Sequence, residues 1–125
     1  MKTLLSTTAL LLFALFDVSA QQKNSRDIWI FAADSSNASF ITQKAALSNT
    51  AELKQRDIQV HQVVGLKEHE SLFKKYKASG NKFTFILIGK DGGEKLRSTE
   101  PVSLENLYRT IDSMPMRQAE MKNKR

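Results

Sequence analysis

Hydrophobic and polar positions divide the chain into alternating strand-like and helix-like segments. Ile28-Trp29-Ile30-Phe31-Ala32-Ala33 and Phe83-Thr84-Phe85-Ile86-Leu87-Ile88 are almost unbroken apolar runs, the pattern of strands covered on both faces. Ile58–Val64 is rich in β-branched residues and partly alternating, which predicts a strand with one wetter face. Glu94-Lys95-Leu96-Arg97-Ser98 is short and charged, as an edge strand needs to be. Phe40, Ile41, Ala45, Leu47, Ala51 and Leu53 form a broad stripe that predicts one helix, running from the cap formers Ser36, Asn37 and Ser39 to about Arg56. Leu72, Phe73 and Tyr76 predict a second helix over residues 68–78, stopped by Gly80 and Asn81. After Pro101 and Ser103, Leu104, Leu107, Tyr108, Ile111 and Met114 recur with helical spacing. Pro115 interrupts that helix, and residues 116–125 are expected as a polar, frayed extension. Residues 21–26 are polar and expected to fray as well.

The resulting order is β-α-β-α-β-β-α. A β-α-β unit pairs its strands in parallel through a right-handed crossover. Asp91-Gly92, inside the turn Gly89–Gly93, favours a tight hairpin that pairs the last two strands antiparallel. The two apolar strands belong in the centre and the two mixed ones at the edges. The expected sheet therefore runs 58–64, 28–33, 83–88, 94–98, flanked by helices. That is an α/β fold of thioredoxin-like type. An alternative, the ferredoxin-like sandwich, needs a different element order.

The first twenty residues stand apart. Lys2 is followed by the largely apolar Leu4–Phe16 and then by Val18-Ser19-Ala20. This is the pattern of a secretory signal peptide cleaved after Ala20. The apolar run is shorter than the ~20 residues of a membrane span. Export to a periplasm or an extracellular space is expected, with one domain over residues 21–125 and no transmembrane anchor after cleavage.

The chain has no cysteine, so a thiol redox enzyme is excluded and packing alone must hold a small exported domain. Lys and Arg number 19 against 13 Asp and Glu, a net charge of +6. Such a surface attracts polyanions. Outside the cytosol these are an anionic glycan, a lipid headgroup or an acidic protein, and nucleic acid is not expected. The candidate contact residues are Lys74, Lys75, Lys77, Lys82, Lys90, Lys95, Arg97 and Arg117. Lys122, Lys124 and Arg125 form a further basic cluster.

In thioredoxin-like enzymes the reactive thiol follows the first of these strands, at a helix N-terminus that lowers its pKa. Here Asp34, Ser35, Ser36 and Asn37 occupy that position, a vestigial redox site without sulfur. A serine nucleophile needs a base, and neither His61 nor His69 is placed by sequence beside Ser35. No Gly-x-Ser-x-Gly elbow is present. The two histidines lack a zinc-ligand spacing, and Gly89–Gly93 lies between two strands, unlike a phosphate loop. No metal or cofactor is expected, and Trp29 and Phe31 are assigned to the core. Asn37-Ala38-Ser39 is a glycosylation sequon, meaningful in a eukaryotic secretory pathway.

Two longer runs are more specific. Gly89-Lys90-Asp91-Gly92-Gly93-Glu94-Lys95-Leu96-Arg97 precedes Glu100-Pro101. Leu107-Tyr108-x-x-Ile111-Asp112-x-Met114-Pro115-Met116-Arg117-x-x-Glu120-Met121 follows. Together with Arg56-Asp57-Ile58-x-Val60, they make the chain resemble the P-DUDES domain family, thioredoxin-like domains of unknown function in bacterial exported proteins and animal extracellular matrix proteins. The resemblance spans essentially residues 21–125. It implies the fold and export, and it implies no catalytic residues. Met114-Pro115-Met116-Arg117 is the segment where a family-wide contact is expected. The function expected from charge and from the missing thiol is a non-catalytic binding or structural module for an anionic partner. The alternative is an enzyme using a helix N-terminal pocket near Asp34, Ser35 and Ser36.

Overall fold

The structure, a computed structural model, describes residues 23–124. The expected signal peptide lies outside the described residues. Four strands, β1 (Arg26–Ala32), β2 (Ile58–Val64), β3 (Thr84–Ile88) and β4 (Glu94–Ser98), form one sheet in the order β2-β1-β3-β4. β1 pairs β2 in parallel, with Trp29 opposite His61, and pairs β3 antiparallel. β3 and β4 are antiparallel with an irregularity at Leu87/Ile88. The apolar strands are central and the mixed strands are edges, which is the thioredoxin-like arrangement.

The alternation of each central strand builds two cores. Ile28, Ile30, Ala32, Phe85 and Leu87 point to one face. There they are covered by Phe40 of α1 (Ala38–Ala46), Leu53 of α2 (Thr50–Gln55) and Leu107 and Ile111 of α4 (Leu104–Asp112). Phe31, Ile86, Ile88 and Val63 point to the other face, under Phe73 of α3 (Glu70–Lys75). Burying the Ile, Leu, Val and Phe side chains among them supplies roughly 1.5–3 kcal/mol each.

Four expectations are corrected. The helix expected to run to Arg56 is two helices: α1 ends at Ala46, and α2 starts after Asn49. Leu47 turns inward as the C-cap while its amide bonds back to Gln43 and Ala45, and Ser48 and Asn49 favour turns over helix. Pro115 does not merely interrupt a helix. It starts a new one, α5 (Pro115–Asn123), at the first position where its missing N–H costs nothing. Arg26 is not frayed, because it opens β1 and is 1% exposed. The β3–β4 connection is also looser than a two-residue hairpin: it spans Gly89–Gly93, and of these residues only Gly92 (φ 80°) has positive φ.

Candidate functional site

The position expected for a redox site follows the C-terminal end of β1. Asp34, Ser35 and Ser36 are exposed there. The Ser36 hydroxyl and amide both donate to Asp34 Oδ1, the amide at 2.9 Å. These bonds hold the Asp34 carboxyl below its ordinary value. Asn37 caps α1, its Oδ1 accepting the Phe40 amide at 3.0 Å. A first-turn donor that would meet an anion is thereby occupied.

The eight candidate cations do not form one face. Arg117 is 6% exposed, and its Nε lies 3.2 Å from Asp112 Oδ1. The Lys90 ammonium sits 2.8 Å from Asp57 and 2.6 Å from Glu120. Lys95 pairs with Asp91 at 2.7 Å. Arg97 pairs with Glu94 and donates to the Tyr76 carbonyl, both at 2.7 Å, stitching β4 to the end of α3. Lys74, Lys75, Lys77 and Lys82 are exposed. Among the described residues none of the four has an ion-pair partner. They cluster at the end of α3 and the start of β3. Lys77 (φ 53°) closes α3 in the left-handed conformation, with the Ala78 amide reaching back to Phe73.

The most organised polar cluster sits at the opposite end of the sheet, where Arg26 begins β1. Arg26 donates to the Arg56 carbonyl at 2.9 Å and to both oxygens of Glu120 at 3.2 and 3.3 Å. Arg56 grips Asp112 through two bonds of 3.1 and 2.9 Å and covers the Tyr108 ring at 3.9 Å. Arg117 reaches Asp112 and the Gln55 carbonyl. Partial burial pushes the Glu120 and Asp112 carboxyls up. The hydrogen bonds from Lys90 and Arg26, and from Arg56 and Arg117, outweigh it and leave both below their ordinary values. The Lys90 hydrogen bond likewise lowers Asp57. Lys90 itself is pushed down by burial and, more strongly, up by its two carboxylates.

A second cluster lies on the α3 face of the sheet. The His61 ring stacks on Trp29 at 4.1 Å, and Tyr76 stacks on Trp29 at 4.6 Å. His61 Nε2 is 2.9 Å from Oδ1 of the buried Asp27. Trp29 is half-buried, so its assignment to the core holds only in part. No group of three His, Asp or Glu among the described residues is placed to hold a metal ion.

The charge cluster is what the sequence pattern concealed. Arg56-Asp57 and Arg117-x-x-Glu120 both lie in the runs that carry the family resemblance. Their spacing in the chain gave no sign that they meet over Arg26.

Several solved structures share this fold. A malarial protein superposes with a TM-score of 0.58 at 20% identity, covering 71% of this chain and 96% of its own. Chloroplastic thioredoxin z gives 0.58 at 17% identity, with 82% and 86% covered. Trxlp from Edwardsiella tarda gives 0.53 at 22% identity, with 66% and 79% covered. Identities this low establish a common fold and nothing about activity. No curated protein matches the chain. The family model described as "Domain of unknown function (DUF4174)" matches residues 17–120. The chain, a thioredoxin-like domain without cysteine, therefore belongs to the DUF4174 family.

Proposed function

We propose that this protein is an exported, non-catalytic binding module of the P-DUDES group that engages an anionic partner through the α3–β3 corner. One observation carries the reading. Lys74, Lys75, Lys77 and Lys82 are exposed together, while Lys90, Lys95, Arg97 and Arg117 are engaged within the protein. Lysines that no internal carboxylate neutralises keep their field for an external anion, whether an anionic glycan, a lipid headgroup or an acidic protein. The shallow groove lined by Lys75, Tyr76, Lys77, Arg97 and Glu94 adjoins these lysines and has an aromatic wall, with the Glu94 carboxylate already matched to Arg97. Export rests on the Lys2, Leu4–Phe16, Val18–Ala20 pattern. The non-catalytic part of the reading rests on the missing cysteine, which removes thiol chemistry from this fold.

The test is retention of the protein on heparin and on anionic vesicles across a salt gradient. Replacing Lys74, Lys75, Lys77 and Lys82 with Ala is expected to abolish retention. Replacing Lys95 and Arg109 instead is expected to leave most of it. Retention that ignores the four lysines retires the proposal.

A further inference from the structure

β2 closes one flank of the sheet. Its bonds to β1 fix which of its backbone groups face outward. The Arg26 amide donates to the Asp57 carbonyl at 2.8 Å, and the Gly65 amide to the Ala32 carbonyl at 3.0 Å. Between these ends the strands run parallel, with Arg26 opposite Ile58 and Ala32 opposite Val64. In such a ladder successive residues turn their N–H and C=O to opposite sides. Gln59, His61 and Val63 therefore bond to β1, and Ile58, Val60, Gln62 and Val64 present theirs to the outside. No hydrogen bond between described residues reaches those outward groups.

The two flanks of the sheet differ. β4 carries Glu94, Lys95 and Arg97, and the register slips beside it at Leu87/Ile88. Such devices keep an edge from pairing. β2, Ile-Gln-Val-His-Gln-Val-Val, has no lysine, arginine, carboxylate, proline or glycine, and its register with β1 is unbroken. Its β-branched residues favour pairing. A strand added there meets no fixed charge and must itself be uncharged. Within the described sheet β1 and β3 are paired on both sides and β4 is charged. The neutral strand that this chain has to offer is therefore another β2. The segment leading into β1 is turned elsewhere, because the Lys23 amide donates to the Lys90 carbonyl at 2.7 Å, beside the β3–β4 turn.

We propose that β2 is a dimerisation edge, on which β2 of a second copy adds antiparallel about a two-fold axis. One register uses every outward group. It sets Ile58 opposite Val64 and Val60 opposite Gln62, each as a hydrogen-bonded pair, with the two copies of His61 facing each other at the axis. The same patch then serves both copies, as a closed two-fold interface requires. Pairing of this length covers less than the ~1,200 Å² at which standard interfaces begin. The dimer is accordingly weak, with a dissociation constant of roughly tens of micromolar. This edge is separate from the lysines of α3, so either can fail without the other.

Sedimentation of the mature chain, from Gln21, over about 1–500 µM tests the association. Residue-resolved hydrogen exchange at the two ends of that range tests the edge. A monomer–dimer equilibrium is expected. The amides of Ile58, Val60, Gln62 and Val64 exchange freely when dilute and become protected when concentrated, while those of Gln59, His61 and Val63 stay protected throughout. Lys2 and Asp17 cancel, so each mature copy keeps the net charge of +6. Added salt is therefore expected to strengthen the dimer, the opposite of its effect on binding through the lysines. Gln62 is exposed. Gln62→Lys puts a charge on the edge, and Gln62→Pro removes an outward donor where an edge tolerates proline. Each is expected to weaken the dimer about tenfold while circular dichroism stays that of the folded protein. A protein that stays monomeric throughout overturns the proposal. So does a dimer that both variants leave intact, or one in which the four outward amides never change. Protection of those amides already in the dilute monomer assigns the edge to another segment of the same chain and overturns it as well.

Discussion

Arg26 and Glu120 lie 94 residues apart in the chain, and their side chains meet as a fork, Nη1 at 3.2 Å and Nη2 at 3.3 Å from the two carboxylate oxygens. Through this pair α5 is tied to the buried start of β1. The helix has a weak apolar stripe, with Arg117 its buried residue. Its docking is therefore electrostatic, unlike that of α4, whose Leu107 and Ile111 are fully buried.

Removing Glu120 strands a buried guanidinium. Glu120→Ala is expected to cost about 3 kcal/mol, because an unpaired buried charge loses more than the pair gains. Arg26→Met combined with Glu120→Leu is expected to recover most of that loss. Urea denaturation of the two variants decides it. A double variant as unstable as Glu120→Ala alone contradicts the charge-pairing account.

The same cluster sets the acid limit. Glu120, Asp112 and Asp57 have folded-state pKa values below their ordinary ones. A carboxyl depressed on folding contributes stability above its unfolded pKa and loses it as pH falls through the folded value. Stability is therefore expected to hold near neutrality and to decline from about pH 5 downward. Lys90 is raised on folding, so its contribution is present at neutral pH and disappears only as strong alkali deprotonates it. Thermal midpoints across pH should show this. Glu120→Gln is expected to lie below the wild type at neutrality and to slope less through the acid range.

Much of the scaffold was legible because burial of apolar side chains writes itself into period and composition. The runs at 28–33 and 83–88 declared the two central strands, and the charges of Glu94, Lys95 and Arg97 declared an edge. The second helix of the first crossover was not legible, since Leu47 keeps the apolar rhythm across the break while Ser48 and Asn49 end the helix. Buried charge was invisible for a different reason. Arg26, Arg117 and Lys90 read as surface residues by type, and only the fold brings Glu120, Asp112 and Asp57 within reach. The basic face read from the sequence shrank accordingly to the lysines of α3 and Lys82.

His61 does two jobs on the α3 face. It satisfies Asp27 at 2.9 Å and covers one side of Trp29. His61→Ala is expected to cost about 2 kcal/mol, because Asp27 keeps only the longer 3.6 Å contact with Lys23. Trp29 is the only tryptophan, so its emission reports the same event. A red shift is expected as water reaches the ring face that His61 shielded. Unchanged emission in a destabilised variant argues that the stack does not shield Trp29.

Gln43 shows why a polar residue can be the right choice in a core. It is fully buried in α1, and its Oε1 accepts the Val102 amide at 2.6 Å while its Nε2 donates to the Val102 carbonyl at 3.0 Å. The side chain thus imitates a strand neighbour for the segment leading into α4 and satisfies both backbone groups of Val102 where water does not reach. Gln43→Leu adds apolar surface yet is expected to destabilise by about 2–3 kcal/mol, since it leaves a buried N–H and C=O unpaired. Gln43→Glu is expected to cost more at neutral pH, because its carboxylate cannot donate to the Val102 carbonyl and brings a buried charge. Denaturation midpoints rank the variants, and hydrogen exchange at the Val102 amide localises the effect. A Leu variant as stable as the wild type, with that amide still protected, shows that another group satisfies Val102.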